Sequence, residues 1–442
     1  MGNPASSDGL GWHKGARALA YRFAHAADIH LDSPLRSLAL RDADLAELIG
    51  NATRRAFVAI VDLCLDEQVD ALLLAGDLHD GDQTSMKTAR FLAEQIRRLH
   101  EAGIRVFVIR GNHDAMSRIT KELTFPDSVK VFGGRAEAIS IERANGDVPI
   151  AIHGLSFAQP HAPESLLPRY GAPTEGAVNI GLMHTSLAGA AGHDLYAPCN
   201  IADLQSAGFN YWALGHIHKR AVVNGPCAIV MPGMPQGRDI NEAGAKSVTL
   251  VTIADDRSVN IEEHVTSLAQ FERVDVDLSG IVDWRDMVGV VAQALEEARE
   301  EVVSEHLVAR LRITGATPLA WRIRRDIDLL KTEADDRASL IGRCWVEKVE
   351  VDCIAPGMSA GSVSDPVSEL RRLIDADVVQ SDAYQAEVAR IADELRSQLP
   401  QECRGILGSD DESFKAAIAE LVREGADDVL ARLHAGADAM GD

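Results

Sequence analysis

Between Tyr21 and Ser267, short apolar runs alternate with stretches of helical spacing: YRFAHA, RRAFVAIVDLCLDEQ, DALLLAG, MKTARFLAEQIRRLHEAG and RVFVIRG follow one another. Buried strands alternating with amphipathic helices predict one α/β sheet domain over residues 21–267. Further strand-like runs lie at VPIAIHGLSF, NIGLMHT, NYWALGHIH, CAIVMPG and SVTLVTI. A second, smaller α/β unit is expected over 268–354. There FERVDVDLSG alternates as a strand, residues 283–303 have helical spacing, HLVARLRIT alternates again, and a helical stretch leads to WVEKVEVDC. The Pro-, Gly- and Ser-rich segment 355–366 reads as a linker. Beyond it, residues 367–442 predict two amphipathic helices, one with Val388, Ile391, Ala392, Leu395 and Leu399 on a stripe, the other with Phe414, Ile418, Leu421 and Val422. Such stripes must bury somewhere. Residues 1–20 have no periodicity and read as a disordered leader.

Composition narrows this picture. A chain of 442 residues that is 46% hydrophobic has room for a core domain of roughly 250 residues plus smaller units. No apolar run reaches the length of about 18 residues that a membrane span needs. The Ala-rich stretch near residues 17–27 is broken by Arg22, His25 and Asp28, so a signal peptide is not expected either, and a cytoplasmic, membrane-free protein is. The six cysteines show no C-x-x-C pairing and read as reduced thiols rather than a zinc knuckle or disulfide framework. A formal charge of −23 means that any phosphate-bearing substrate must be met by local patches, metals or a partner. From Asp365 onward 18 acidic residues face 8 basic ones, a balance that suits protein docking better than nucleic-acid binding.

The candidate chemistry sits at the ends of the apolar runs. In chain order these ends carry Asp28-Ile29-His30, Gly76-Asp77, Gly111-Asn112-His113-Asp114, His184 and Gly215-His216-Ile217-His218. Each follows a strand-like run, and in an extended segment residues i and i+2 point the same way, so Asp28 with His30, and His216 with His218, are expected to present two ligands each to one side. In open α/β sheets the crevice beyond the strand carboxyl ends is where ligands bind. Carboxylate and imidazole together suit a pair of first-row divalent metals, with Asp77 as the expected bridge. Two such ions against two carboxylates and a bridging hydroxide leave a net charge of about +1, which lets an acidic protein hold a phosphodiester. Each piece alone is commonplace, since Gly-Asp is usually a turn and a histidine on an apolar strand is usually core; the ordered set is not.

That set resembles the calcineurin-like metallophosphoesterases. The segments ADIHLDSPL, GDLHDG, RGNHD, HTSLAGAAGHDLYAPC, YWALGHIH and MPGMPQGR resemble the bacterial YhaO group of the SbcD-type DNA repair nucleases, over about residues 21–353. The resemblance implies a four-layer α-β-β-α sandwich with a small α/β cap domain and a helical C-terminal tail. It implies one metal held by Asp28, His30, Asp77 and His218, and another by Asp77, Asn112, His184 and His216, with two Mn2+ ions expected. His113 would protonate or stabilise the leaving oxygen, and Asp114 would orient that imidazole or cap the loop. Some relatives carry a histidine three residues after the Gly-Asp aspartate, whereas here that position is Asp80, and His79 stands one place earlier. Lys219, Arg220 and Arg238 are candidates for backbone phosphate contacts or ordinary solvated charges, and His193 for a supporting place near substrate. The reaction implied is in-line displacement at phosphorus by a DNA exo/endonuclease, expected as a homodimer docked through its tail on a coiled-coil SMC-like ATPase. No G-x-x-x-x-G-K-[ST] sequence is present, so ATP use would come in trans. The competing readings are a phosphodiesterase or phosphatase for small nucleotides, and a non-catalytic scaffold for the ATPase.

Overall fold

The computed structural model describes residues 20–33, 43–79, 85–116, 125–143, 147–159, 162–187, 196–356, 366–398 and 411–438. The expected leader and most of the expected linker lie outside them. The chain forms two compact units, one of residues up to Leu31, 57–235 and 247–264, the other of residues 32–56, 236–246 and from Val265 onward.

The first unit holds β1 (Tyr21–Ala26), the C-terminal part of α1 (Ala43–Asp66), β2 (Ala71–Ala75), α2 (Met86–Glu101), β3 (Arg105–Ile109) and β4 (Val129–Val131). It continues with β5 (Glu137–Ile141), β6 (Ile150–Gly154), β7 (Val178–His184), α3 (Ile201–Ser206), β8 (Tyr211–Gly215), β9 (Ala221–Val223), β10 (Ala228–Met231), β11 (Ser247–Ile253) and β12 (Val259–Val265). Two six-stranded sheets result, in the orders β12-β11-β1-β2-β3-β4 and β5-β6-β7-β8-β10-β9. Strands β1 to β4 run parallel in one sheet, and β6, β7, β8 and β10 in the other.

The period of two in each strand decides what packs where. Ala71, Leu73 and Ala75 of β2 face the layer between the sheets, with Phe23, Phe107, Ile152, Ile180, Tyr211 and Val251. Leu72 and Leu74 face the other way, onto Phe57 and Ile60 of α1 and Leu92 and Ile96 of α2. Burying such a leucine contributes about 1.5–3 kcal/mol, so a strand apolar on both faces is fixed in register. On the far side of the second sheet, Met183, Trp212 and Leu214 are covered by Leu204 of α3 and by Leu155, Phe157 and Leu166 from connecting segments. The four α-β-β-α layers are therefore present, and among the described residues the fourth is thin, made of a six-residue helix and loops.

In the second unit β13 (Ala269–Asp277), β14 (His306–Thr314) and β15 (Cys344–Val351) form a parallel three-stranded sheet in that order. Between them run α4 (Trp284–Glu301), α5 (Ala320–Arg325) and α6 (Ile327–Ile341). Helix α4 starts where Asp283 accepts from the backbone N–H groups of Arg285 and Asp286, a cap that satisfies two otherwise orphaned donors. Met287, Val291 and Leu295 of α4 and Leu330 and Ala334 of α6 cover one sheet face. On the other, Phe271 and Val308 meet Leu45 and Ile49 from the start of α1 and Ile240. That apolar contact is why residues 32–56 and 236–246 group with this unit.

The tail comprises α7 (Pro366–Leu373), α8 (Asp382–Gln398) and α9 (Asp411–Asp438), one helix more than its hydrophobic spacing predicts. Leu430 and Ala431 of α9 bury against Trp321 of α5, and Asp427 gathers Arg371 at 2.7 Å, Arg423 at 3.6 Å and Arg324 at 3.7 Å. The expected stripes are covered only in part: Ala392 is buried, but Ile391, Leu395 and Leu421 are about half exposed. Leu399 lies outside the described residues.

Candidate metal centre

Every expected metal ligand follows from a strand end in the first unit. Asp28 and His30 come after β1, Asp77 after β2, Asn112 after β3, His184 closes β7, and His216 and His218 follow β8. Since β1 to β3 belong to one sheet and β7 and β8 to the other, the crevice is built from the carboxyl ends of two facing sheets, not from a switch point within one.

The extended alternation expected for the paired ligands does not hold. Strand β1 stops at Ala26, and Asp28, His30 and Asp77 have φ of 53°, 46° and 52°, with His216 at 108°. Such left-handed backbone costs about 1–2 kcal/mol per residue. It is held by an irregular ladder in which the N–H groups of Asp28 and His30 donate to the carbonyls of Gly76 and Asp77, both at 3.0 Å, and that of Leu31 donates to Leu78 at 2.9 Å. Asp28 and His30 still gather in one group, as expected, whereas the second pair is divided: His218 joins Asp28 and His30 while His216 joins Asp77 and His184.

Within each of these two groups the ligand atoms lie within 4.8 Å of one another. Asn112 joins the second: its Oδ1 stands 3.0 Å from His184 Nε2 and 3.3 Å from His216 Nδ1. Asp77 Oδ2 is 3.3 Å from the same His184 nitrogen. In the first group His30 Nε2 and His218 Nε2 face each other at 3.2 Å. Gly76, at φ 96°, and Gly111 leave the space: a Cβ on the first would stand 2.5 Å from His184 Nδ1, and one on the second would run into Asp77 Oδ1.

Protonation follows from these contacts. His184 Nδ1 lies 2.9 Å from the Ala75 carbonyl, which can only accept, so Nδ1 carries a proton and Nε2 is the nitrogen that faces the centre. Burial alone would lower the His184 pKa, but the Asp77 and Asp28 carboxylates outweigh it and carry it up to about 9. Burial likewise tends to raise Asp77, and His184, His30 and His113 more than reverse this, holding it well below the usual carboxylate range. Asp28 is pushed up by burial, and its carboxylate accepts from the His216 N–H at 3.0 Å. Buried carboxylates, imidazole nitrogens and an amide oxygen turned towards one another fit divalent first-row cations, which would displace the proton from His184.

His113 belongs to neither group and is exposed, its ring 5.1 Å from that of His30. Its N–H donates to Asp77 Oδ1 at 3.0 Å. Asp114 is wholly buried, and both its oxygens accept backbone N–H groups, from Leu78 and His79, each at 2.9 Å. These two bonds hold the loop after β2. Of the expected phosphate contacts, Lys219 is exposed and unpaired among the described residues, whereas Arg220 bonds Thr249 at 2.5 Å and Glu263 at 3.2 Å. Arg238, in the second unit, is engaged with Glu242 at 2.8 Å and Ser33 at 3.2 Å. His193 and Asp80 lie outside the described residues, and His79 is buried. Two rings at the centre are not foreseen from the spacing of the ligands: Phe157 stands edge-on to His184 at 5.6 Å and Tyr196 to His216 at 5.0 Å. Only the presence of Tyr196 within the HTSLAGAAGHDLYAPC segment pointed to either.

Residues 21–220 match the family described as Calcineurin-like phosphoesterase, and residues 271–354 match Metallophosphoesterase YhaO, middle domain. Among similar curated proteins, the uncharacterized metallophosphoesterase YhaO of Bacillus subtilis is 32% identical over 67% of this chain and 72% of its own length. The DNA double-strand break repair protein Mre11 of Sulfurisphaera tokodaii is 28% identical over 54% of this chain and 62% of its own. A subunit of the nuclease SbcCD of Bacillus subtilis is 26% identical over 52% and 66%. The chain thus spans slightly less than two thirds of the latter two relatives. No helix among the described residues is long and apolar enough to cross a membrane.

Proposed function

The chain belongs to the calcineurin-like metallophosphoesterases, in the YhaO family, and from that premise we propose that it is a Mn-dependent DNA nuclease acting in DNA end processing or repair. The observation that carries the reading is the pair of donor groups, Asp28/His30/His218 and Asp77/His184/His216, converging at the strand ends of one unit. Similarity to proteins named as a double-strand break repair protein and a nuclease subunit supports DNA as the substrate. Two divalent ions held by these residues and Asn112 would supply Lewis acidity at phosphorus and a water acidic enough to ionise near neutral pH.

The protein's own groups divide the remaining work. His113, exposed beside the donors and anchored through its N–H to Asp77, serves as the proton donor to the leaving oxygen. Lys219, exposed next to His218, meets a backbone phosphate. In this reading residues 268–354 act as the cap that selects nucleic acid, and the acidic tail docks on an SMC-like coiled-coil ATPase, with the nuclease as a homodimer. The internal pairing of Arg220 and Arg238 favours the runner-up, a phosphodiesterase for small nucleotides, because it removes cations a DNA strand would use. Assays with Mn2+ on linear DNA, bis-p-nitrophenyl phosphate and cyclic nucleotides separate the two. Cleavage of DNA is expected; turnover of cyclic nucleotides with DNA left intact would reject the nuclease reading.

A further inference from the structure

We infer that Asp114 is a positioning residue that sets the donor carboxylate of Asp77 through the backbone of the loop after β2; the inference rests on the two-metal reading above. The loops after β2 and β3 are stitched together reciprocally. Asp114, in the second loop, accepts the N–H groups of Leu78 and His79, both at 2.9 Å. Asp77, in the first, accepts the N–H of His113 at 3.0 Å. Each carboxylate thus holds the loop that carries the other.

The arrangement matters because Asp77 sits in a conformation it would not keep by itself. Its φ is 52°, and its Oδ2 must stay on the His184 side, 3.3 Å from Nε2. The Leu78 and His79 N–H groups, donating to the fully buried Asp114 carboxyl, and the His30 N–H, donating to the Asp77 carbonyl at 3.0 Å, hold the segment 77–79 in place. The same ring of bonds ties the exposed His113 to the donors, so Asp114 acts on both through others and touches neither the substrate nor the reacting atoms. The Asp28, His30 and His218 group meets this clamp through the His30 N–H on the Asp77 carbonyl and through Asp77 as the expected bridge. Failure of the clamp therefore has a distinctive signature: with the shared Asp77 carboxylate displaced, the metal pair should bind more weakly and its two ions should lose their coupling.

Asp114→Asn keeps the size of the side chain but offers one acceptor oxygen and an NH2 group where two N–H donors converge. Mn2+ titration of the metal-free full chain by calorimetry and electron paramagnetic resonance reads the result. The wild type should bind two Mn2+ with an exchange-coupled spectrum. The variant should bind the metal pair about 10- to 100-fold more weakly, with the six-line spectrum of isolated Mn2+ in place of the exchange-coupled one. Two sites of wild-type affinity in the variant would overturn the inference. Should the variant not fold, hydrogen exchange at the Leu78 and His79 amides of the wild type decides: strong protection supports the clamp, and exchange at the rate of an open loop refutes it. A wild type that binds no metal pair would sink the two-metal reading instead, and the exchange result would still judge the clamp.

Discussion

The strand ends of the first unit and the tail helices of the second break the ordinary partition of a globular chain in opposite directions. In the first, Asp28, His30, Asp77, Asp114 and His184 are all at most 2% exposed, while on the tail Ile391, Leu395, Leu421, Val429 and Leu433 are 49–53% exposed. Ionisable groups are seldom buried unless paired or coordinating a metal, and apolar stripes are seldom left in water. Both departures cost stability, and both make sense once a partner is supplied: a cation in one case, an apolar surface in the other. They differ in preorganisation. The strand-end groups are locked by hydrogen bonds before any ion arrives, whereas the tail presents a spaced stripe on a helix and fixes little about what covers it.

The largest effect that would break this contrast is at the exposed edge of the centre. His113→Ala should lower kcat on linear DNA, whose alkoxide leaving group needs a proton, by about 10²- to 10⁴-fold with two metals still bound; unchanged turnover would remove His113 from the chemistry. On the tail, Ile391→Asp combined with Leu395→Asp should weaken capture of the proposed ATPase by about 10-fold or more. It should leave phosphodiester hydrolysis intact and move stability by no more than about 0.5 kcal/mol, as exposed substitutions do. Undiminished capture would show that the stripe docks nothing.

A pH effect separates the regions as well. His25 is fully buried, with Nδ1 on the Tyr211 hydroxyl at 2.9 Å and Nε2 on the Leu214 carbonyl at 3.0 Å, and burial lowers its pKa from 6.5 to about 3. Folding therefore favours its neutral form: this contribution is complete above pH 6.5 and is lost as the pH falls from 6.5 towards about 3. The slope reaches about 1.4 kcal/mol per pH unit. Urea unfolding across that window should be steeper in the wild type than in His25→Gln, and equal slopes would contradict the assignment.

Much of the fold was legible because both faces of β1, β2 and β3 are buried and their apolar runs are short, bounded and interleaved with helical spacing. The candidate ligands were legible because, although each piece alone is commonplace, they stand in one ordered set at the ends of such runs. Geometry was less so. The left-handed turns at Asp28, His30 and Asp77 arise from hydrogen bonds between segments nearly fifty residues apart, which local periodicity does not encode. The same is true of Arg220, engaged by Thr249 and Glu263 from later strands, and of Asp114, whose partners precede it by 35 and 36 positions. The grouping of residues 32–56 and 236–246 with the second unit depends on Leu45, Ile49 and Ile240 meeting Phe271, a contact no single segment announces.

Whether the two donor groups act as one centre is the question on which the proposed chemistry turns. Hydrolysis of bis-p-nitrophenyl phosphate by the metal-free full chain, followed against added equivalents of Mn2+, tests this directly. Activity should stay near zero through the first equivalent, rise with the second and level off at two. Saturation at a single equivalent, or turnover without metal, would contradict it.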